Sequence, residues 1–230
     1  MNHTLKNRFV VLEGLDGAGK STQIKLFCKH LEQNNIKYKF LHFPRTDAPY
    51  FGELVSGFLR GDFGELNQVN PYLVALIYAG DRHQSKEMIE SWLNEGYFVL
   101  VDRYVNSNIA FQCAKTENKI KSEELRKWIL SLEYDYYKIP KPDINLFLDV
   151  PFEFTAKNLK TQREGDDRIY LKGKNDIHEK DLDFQNKVRQ VYINIQKTDK
   201  SFHIINCSAD DNTMLSSDKI FKKIKLKIRL

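Results

Sequence analysis

The chain has 230 residues, 41% of them hydrophobic and 29% charged, with a net charge of +5. That length holds one α/β domain with a sizeable core, and no run of about 18 apolar residues occurs, which excludes a membrane-spanning helix. The mild positive charge suits an ordinary soluble protein equally with one that serves anionic ligands, and does not separate the two.

The stretch MNHTLKNRFVV shows no signal-peptide pattern. Cys28, Cys113 and Cys207 are odd in number and far apart, so neither a disulfide framework nor a zinc site is expected and the setting is read as cytoplasmic. Residues 9–12 form a short apolar run that predicts a buried strand ending at a glycine-rich turn. A helix follows over 20–34, with Cys28 joining Ile24, Phe27 and Leu31 on its core side. Residues 37–42 read as a second strand, and Pro44 and Pro49 bracket a loop. Helical pattern covers 51–59, then runs unbroken over 71–92. A third strand spans 98–101 and releases Asp102. Ser122 reads as a helix N-cap, with Glu123 and Glu124 in the first turn. A fourth strand covers 144–150, and Pro151 opens a helix. Residues 163–181 lose periodicity amid charge and glycine and read as an exposed mobile loop, with His178, like His83, at the surface. Phe184, Val188, Val191, Tyr192 and Ile195 mark a further helix, 203–206 a fifth strand, and Ile220, Phe221, Ile224 and Ile228 the buried face of the last helix. Its lysines read as a solvated face rather than a nucleic-acid patch. Strands alternating with helices imply a five-stranded, mostly parallel sheet flanked by helices, in one domain over 1–230.

Gly14-Leu15-Asp16-Gly17-Ala18-Gly19-Lys20-Ser21, followed by Thr22, fits a phosphate-cradling P-loop between a strand and a helix. The glycines let backbone amides approach a phosphate chain, and the helix N-terminus adds positive potential. Lys20 is expected on the β- and γ-phosphates of ATP, and the Ser21 hydroxyl on Mg²⁺. No Asn-Lys-x-Asp segment is present to read guanine, so a GTPase is disfavoured.

Glu13-Gly14-Leu15-Asp16, Phe43-Pro44-Arg45, Tyr78-Ala79-Gly80-Asp81-Arg82, Asp102-Arg103-Tyr104-Val105-Asn106-Ser107 with Ala110-Phe111-Gln112, and Lys141-Pro142-Asp143 occur in that order. In these motifs the chain resembles the thymidylate kinase family from about residue 9 to 192. The resemblance implies ATP-dependent phosphorylation of dTMP, Mg²⁺ as cofactor, a homodimer, and no nucleic-acid or membrane partner. It implies Arg45 and Arg103 on the acceptor phosphate, Tyr78 stacked on the base, Arg82 on the base edge, and Asp16 on the sugar 3′-hydroxyl. It further places Phe43, Leu59, Ser107 and Gln112 around the acceptor, and Asp102 on Mg²⁺ and its water shell. Gly17 stands where one branch of the family has arginine, so Arg163 and Arg168 are expected to supply the catalytic charge from a lid over about 163–181. The family follows its Asp-Arg pair with one residue and then a glutamate; here Ile169 and Tyr170 follow, and 171–179 is extra length.

Bland readings compete at single positions. Asp102 also suits a helix cap, Tyr78 an apolar stripe with Leu73 and Ile77, Arg45 and Arg82 surface charges, and Phe43 packing beneath its loop. The rival functions are another nucleotide or nucleoside kinase, or a P-loop ATPase switch with a macromolecular partner.

Overall fold

Runs without polar alternation belong in the middle of a sheet, where both faces are covered. In the computed structural model, which describes residues 8–160, 166–174, 176–179 and 181–230, β1 (Phe9–Gly14) and β3 (Phe98–Asp102) are buried along their whole length. β4 (Ile144–Asp149) is buried up to its last residue, whereas β2 (Tyr38–His42) and β5 (Phe202–Asn206) form the partly exposed edges. The order is β2-β3-β1-β4-β5, and every pairing among the described residues is parallel.

Parallel strands need crossover connections, and these are helical: α1 (Lys20–Gln33), α2 (Phe51–Leu59), α3 (Pro71–Gln84), α4 (Lys86–Asn94), α5 (Val105–Cys113), α6 (Lys119–Leu130), α7 (Phe152–Lys160), α8 (Leu182–Ile195) and α9 (Ser217–Ile228). A π-helical turn over Ser131–Tyr136 continues α6, and a 3-10 turn over Asp166–Leu171 precedes α8. Among the described residues no helix is long and apolar enough to cross a membrane. β1 lies between β3 and β4, so its neighbours diverge to either side and a crevice opens at the strands' carboxyl ends. Register fixes that crevice: Leu12 and His42 both pair with Asp102.

Four local readings change. The pattern over 71–92 is two helices, because buried Ser85 donates its N–H to the Arg82 carbonyl three residues back and turns the chain. The cap of α6 lies four residues before Ser122, because Asn118 Oδ1 accepts from the Lys121 amide at 2.9 Å. Cys28 is half-buried rather than a core thiol. Between the sequence positions read as an exposed loop, Leu171, Asp176, Ile177 and His178 are buried.

Candidate active site

The first strand delivers the chain into the phosphate loop. Gly17 and Gly19 take φ of 76° and 81°, left-handed values that favour glycine, and Gly19 leads directly into α1. The Lys20 ammonium donates to the carbonyls of Gly14 and Leu15, at 3.3 and 3.1 Å. Burial, with Arg103 adding repulsion, lowers its pKa to about 8. Ser21 and Thr22 are exposed at the cavity rim. From the far side, Asn158 on α7 donates to the Gly17 carbonyl at 2.8 Å, and a Cβ on Gly17 would lie 3.1 Å from the Asn158 Cβ.

Asp102 ends β3 beside this loop. Its Oδ2 pairs with His42 Nδ1 at 3.1 Å, while Oδ1 is buried without a partner. Burial alone would raise its pKa, but the Lys20 charge, the His42 bond and Arg103 hold it below the usual carboxylate range. Asp102 is thus no helix cap. Among the described residues no group of three His, Cys, Asp or Glu side chains gathers as a metal site. A carboxylate oxygen and a hydroxyl beside a phosphate loop instead suit a hard cation that keeps most of its water.

Arg103 follows Asp102 with φ of 64°, held by its amide on the Leu12 carbonyl at 3.0 Å. Its guanidinium reaches Asp16 Oδ1 at 2.7 Å and lies over the Phe111 ring, 5.2 Å from the centroid. Burial opposes ionisation of Asp16, yet Arg103 and Lys20 outweigh it and bring its pKa to about 2. Arg45 is aimed by Asp81, whose carboxylate takes both Nε and the Arg45 amide at 2.9 Å.

Arg82 is not a surface charge. It is 2% exposed, and Nε and Nη2 form a fork with Glu133 Oε2 and Oε1 at 2.5 and 2.6 Å. Glu133, on the π-helical turn, also accepts from Asn108 Nδ2 at 3.0 Å. The other end of that amide, Asn108 Oδ1, is buried without a partner in the cavity wall. Leu73 is exposed while Tyr78 lines the cavity, which splits the proposed apolar stripe. Phe43 is buried against Tyr104 and also reaches the cavity lining.

Ser107 lines the cavity as well, and its hydroxyl donates to Glu13 Oε2 at 2.5 Å and meets the Tyr192 hydroxyl at 2.7 Å, which ties this wall to a buried network. Gln112 accepts Lys115 Nζ at 2.8 Å through Oε1. Arg163 and the side chain of Arg168 lie outside the described residues.

One cavity of about 750 Å³ joins these parts, lined from Ser21 and Lys20 through Arg103 and Arg45 to Leu59, Tyr78, Arg82 and Gln112. One side of it is formed by Tyr170, Asp176, His178 and Glu179. The Ile177 amide donates to the Leu59 carbonyl at 3.1 Å, and Arg60 Nη1 donates to the Tyr170 carbonyl at 2.8 Å. His178, expected at the surface, is buried because it packs among Phe58, Phe111 and Phe184. Sequence reading missed Asn108, Glu133 and His178. Asn108 sits beside Ser107 in a recognised motif, so position alone pointed to it; nothing local marks Glu133.

The family model described as Thymidylate kinase matches residues 12–217. A thymidylate kinase of Thermosipho melanesiensis is 31% identical over 94% of this chain and 95% of its own. That of Plasmodium falciparum is 28% identical over 84% and 89%. The solved thymidylate kinase of Candida albicans superposes with a TM-score of 0.70 at 24% identity, covering 97% of this chain and 91% of that one, and shares the fold.

Proposed function

The chain belongs to the thymidylate kinase family and phosphorylates dTMP with ATP to give dTDP; we propose that both nucleotides sit in the one cavity, ATP on the 14–22 loop and dTMP under α2, α3 and α5. The observation that supports this most is continuity. A phosphate loop and two oriented arginines, Arg45 and Arg103, open into the same cavity of about 750 Å³. Two polyanions can therefore meet end to end.

In this reading the amides of 17–22 and Lys20 hold the β- and γ-phosphates, since fixed donors stabilise charge without reorganising. Arg45 and Arg103 hold the dTMP phosphate, whose oxygen attacks the γ-phosphorus in line as ADP leaves. That oxygen is already ionised near neutral pH, so no strong general base is needed. Asp16 accepts the 3′-hydroxyl proton. Tyr78 stacks on thymine, while Phe43 and Leu59 wall the acceptor and Gln112 lies alongside it. Glu133 occupies two nitrogens of Arg82 and leaves Nη1 for the base edge. Asn108 Oδ1 is an acceptor suited to the thymine N3–H. Arg163 and Arg168 add charge from the lid. Ser21 and the unpartnered Oδ1 of Asp102, through water, fit a Mg²⁺ site. When bound, Mg²⁺ neutralises phosphate charge between the two nucleotides.

The homodimer we propose uses a face where Leu54 of α2, Leu73 and Leu76 of α3 and Trp128 of α6 are exposed. Three free cysteines agree with a cytoplasmic setting. The test is ADP release with Mg-ATP and a panel of nucleosides and monophosphates. Strong stimulation by dTMP alone is expected; stimulation by nucleosides alone, or none by dTMP, overturns the assignment.

A further inference from the structure

Residues 171–174 and 176–179, which the phosphoryl-transfer chemistry leaves unused, are docked rather than loose. Besides the Ile177 bond to Leu59, Lys174 pairs with Asp62 at 2.8 Å, and Gln185 Nε2 donates to the His178 carbonyl at 2.9 Å. The same Gln185 nitrogen donates to Asp16 Oδ2 at 3.1 Å, so one side chain ties His178 to the carboxylate assigned to the sugar. The His178 ring is 6% exposed, sits 4.9 Å from the Phe111 centroid, and lines the cavity. Its Nε2 is buried without a partner. A buried polar atom of this kind costs stability unless something satisfies it.

We propose that His178 is a specificity-determining residue of the acceptor site, its Nε2–H donating to the 3′-hydroxyl oxygen of the acceptor nucleotide. The inference rests on the dTMP reading above and deepens it. The base end of the cavity is marked by Arg82 and Asn108, and the phosphate end by Arg45 and Arg103. His178 lies beside Phe111 and Asp16, between those ends, where the sugar must pass. Hydrogen-bond counting then closes. A hydroxyl has one proton to donate and lone pairs to accept with. Asp16 is ionised and accepts only, so it takes the proton, and the oxygen is left needing a donor. Burial, then the charge of Lys115, holds the His178 pKa well below its ordinary value, so the ring is neutral and carries a single N–H.

The rival account makes His178 a packing residue among Phe58, Phe111 and Phe184. Kinetics with dTMP and with 3′-deoxythymidine monophosphate separate the two. In the unsubstituted protein dTMP is preferred in kcat/KM, by roughly 10-fold or more, because the analogue leaves the buried His178 Nε2 unpaired and gives up the bond to Asp16. His178→Phe keeps an aromatic ring and is expected to raise KM for dTMP with kcat little changed, while the analogue is nearly unaffected. The preference then shrinks several-fold. His178→Gln, which retains a donor, restores part of it. A preference unchanged in His178→Phe, or both substrates losing equally, overturns the proposal. A second measurement reads binding on the unsubstituted protein itself. The His178 ring ¹⁵N signal, identified by its absence in His178→Gln, should shift with dTMP and not with the 3′-deoxy analogue; equal shifts count against it. No dTMP turnover in the unsubstituted protein is a different failure, that of the dTMP reading itself.

Discussion

Charge placement at single residues decides what this cavity does. Lys20 already sits at a depressed pKa of about 8 through burial and Arg103, so an anionic phosphate chain is the partner that makes its charge favourable again. Lys20→Ala is expected to cut dTMP kinase kcat by about 10²–10³-fold with far-UV circular dichroism unchanged; near-normal turnover in a folded variant would refute the loop assignment. Arg82 gives a second test. Its fork to Glu133 is buried on both sides, and removing one partner of a buried pair typically costs about 3–5 kcal/mol because the other charge is stranded. Glu133→Ala should therefore destabilise the fold by roughly that amount in urea melts. Arg82→Ala should narrow the kcat/KM gap between dTMP and dCMP. If it lowers both substrates alike, Arg82 positions the wall and does not read the base.

Elements carry the next set of expectations. If the lid supplies the arginines that the phosphate loop lacks, their contacts form chiefly in the transition state, and losing one lowers kcat and kcat/KM together. Arg163→Met and Arg168→Met are expected to reduce kcat, at least one by on the order of 10²-fold, with melting unchanged; a rise in KM for ATP alone would identify them as surface charges. The docked 171–179 segment makes a pH prediction. Burial first, and the Asp16 charge second, raise Asp176 from 3.8 to about 7. When the segment undocks, Asp176 regains water and its lower pKa. Between about pH 4 and 7 the docked form therefore holds the extra proton, so docking weakens as pH rises through that window and is weakest above it. Hydrogen-exchange protection factors for 171–179 in the unliganded protein should fall from pH 5.5 to pH 8, and Asp176→Asn should flatten the change. Equal factors in the unsubstituted protein would show that Asp176 titrates normally.

At the scale of the whole molecule, the dimer face can be checked directly. Leu73→Arg puts a charge at a 58% exposed apolar position on α3 and should shift sedimentation to the monomer at micromolar protein, leaving the monomer's melting little changed. How much of this architecture the sequence disclosed follows from where its signals come from. The strands were legible because a doubly covered sheet demands continuous apolar runs, and 9–12 and 98–101 supply them. The break at Ser85 was not, because helical periodicity runs through a one-residue turn without changing phase. α5 was silent for the opposite reason: all nine residues are buried, so no polar stripe exists to reveal the period. The phosphate loop and Arg103 were legible because their chemistry is carried by local spacing. His178 and Glu133 were not, since burial there is decided by walls that come from distant parts of the chain.

The contact between Gly17 and Asn158 also limits how this enzyme can change. An arginine at position 17 would have to hold a left-handed backbone, at φ of 76°, and place its Cβ 3.1 Å from the Asn158 Cβ and 3.5 Å from the Thr155 carbonyl. The Asn158 side chain, which braces the loop through the residue 17 carbonyl, would have to shift to make room. Placing an arginine in the phosphate loop thus requires linked substitutions on two elements, and each single step is disfavoured on its own. That is sign epistasis written into the backbone. Introducing Gly17→Arg first should lower fitness in any selection for dTTP synthesis, and should become tolerable only after Asn158→Gly has removed the Cβ it meets.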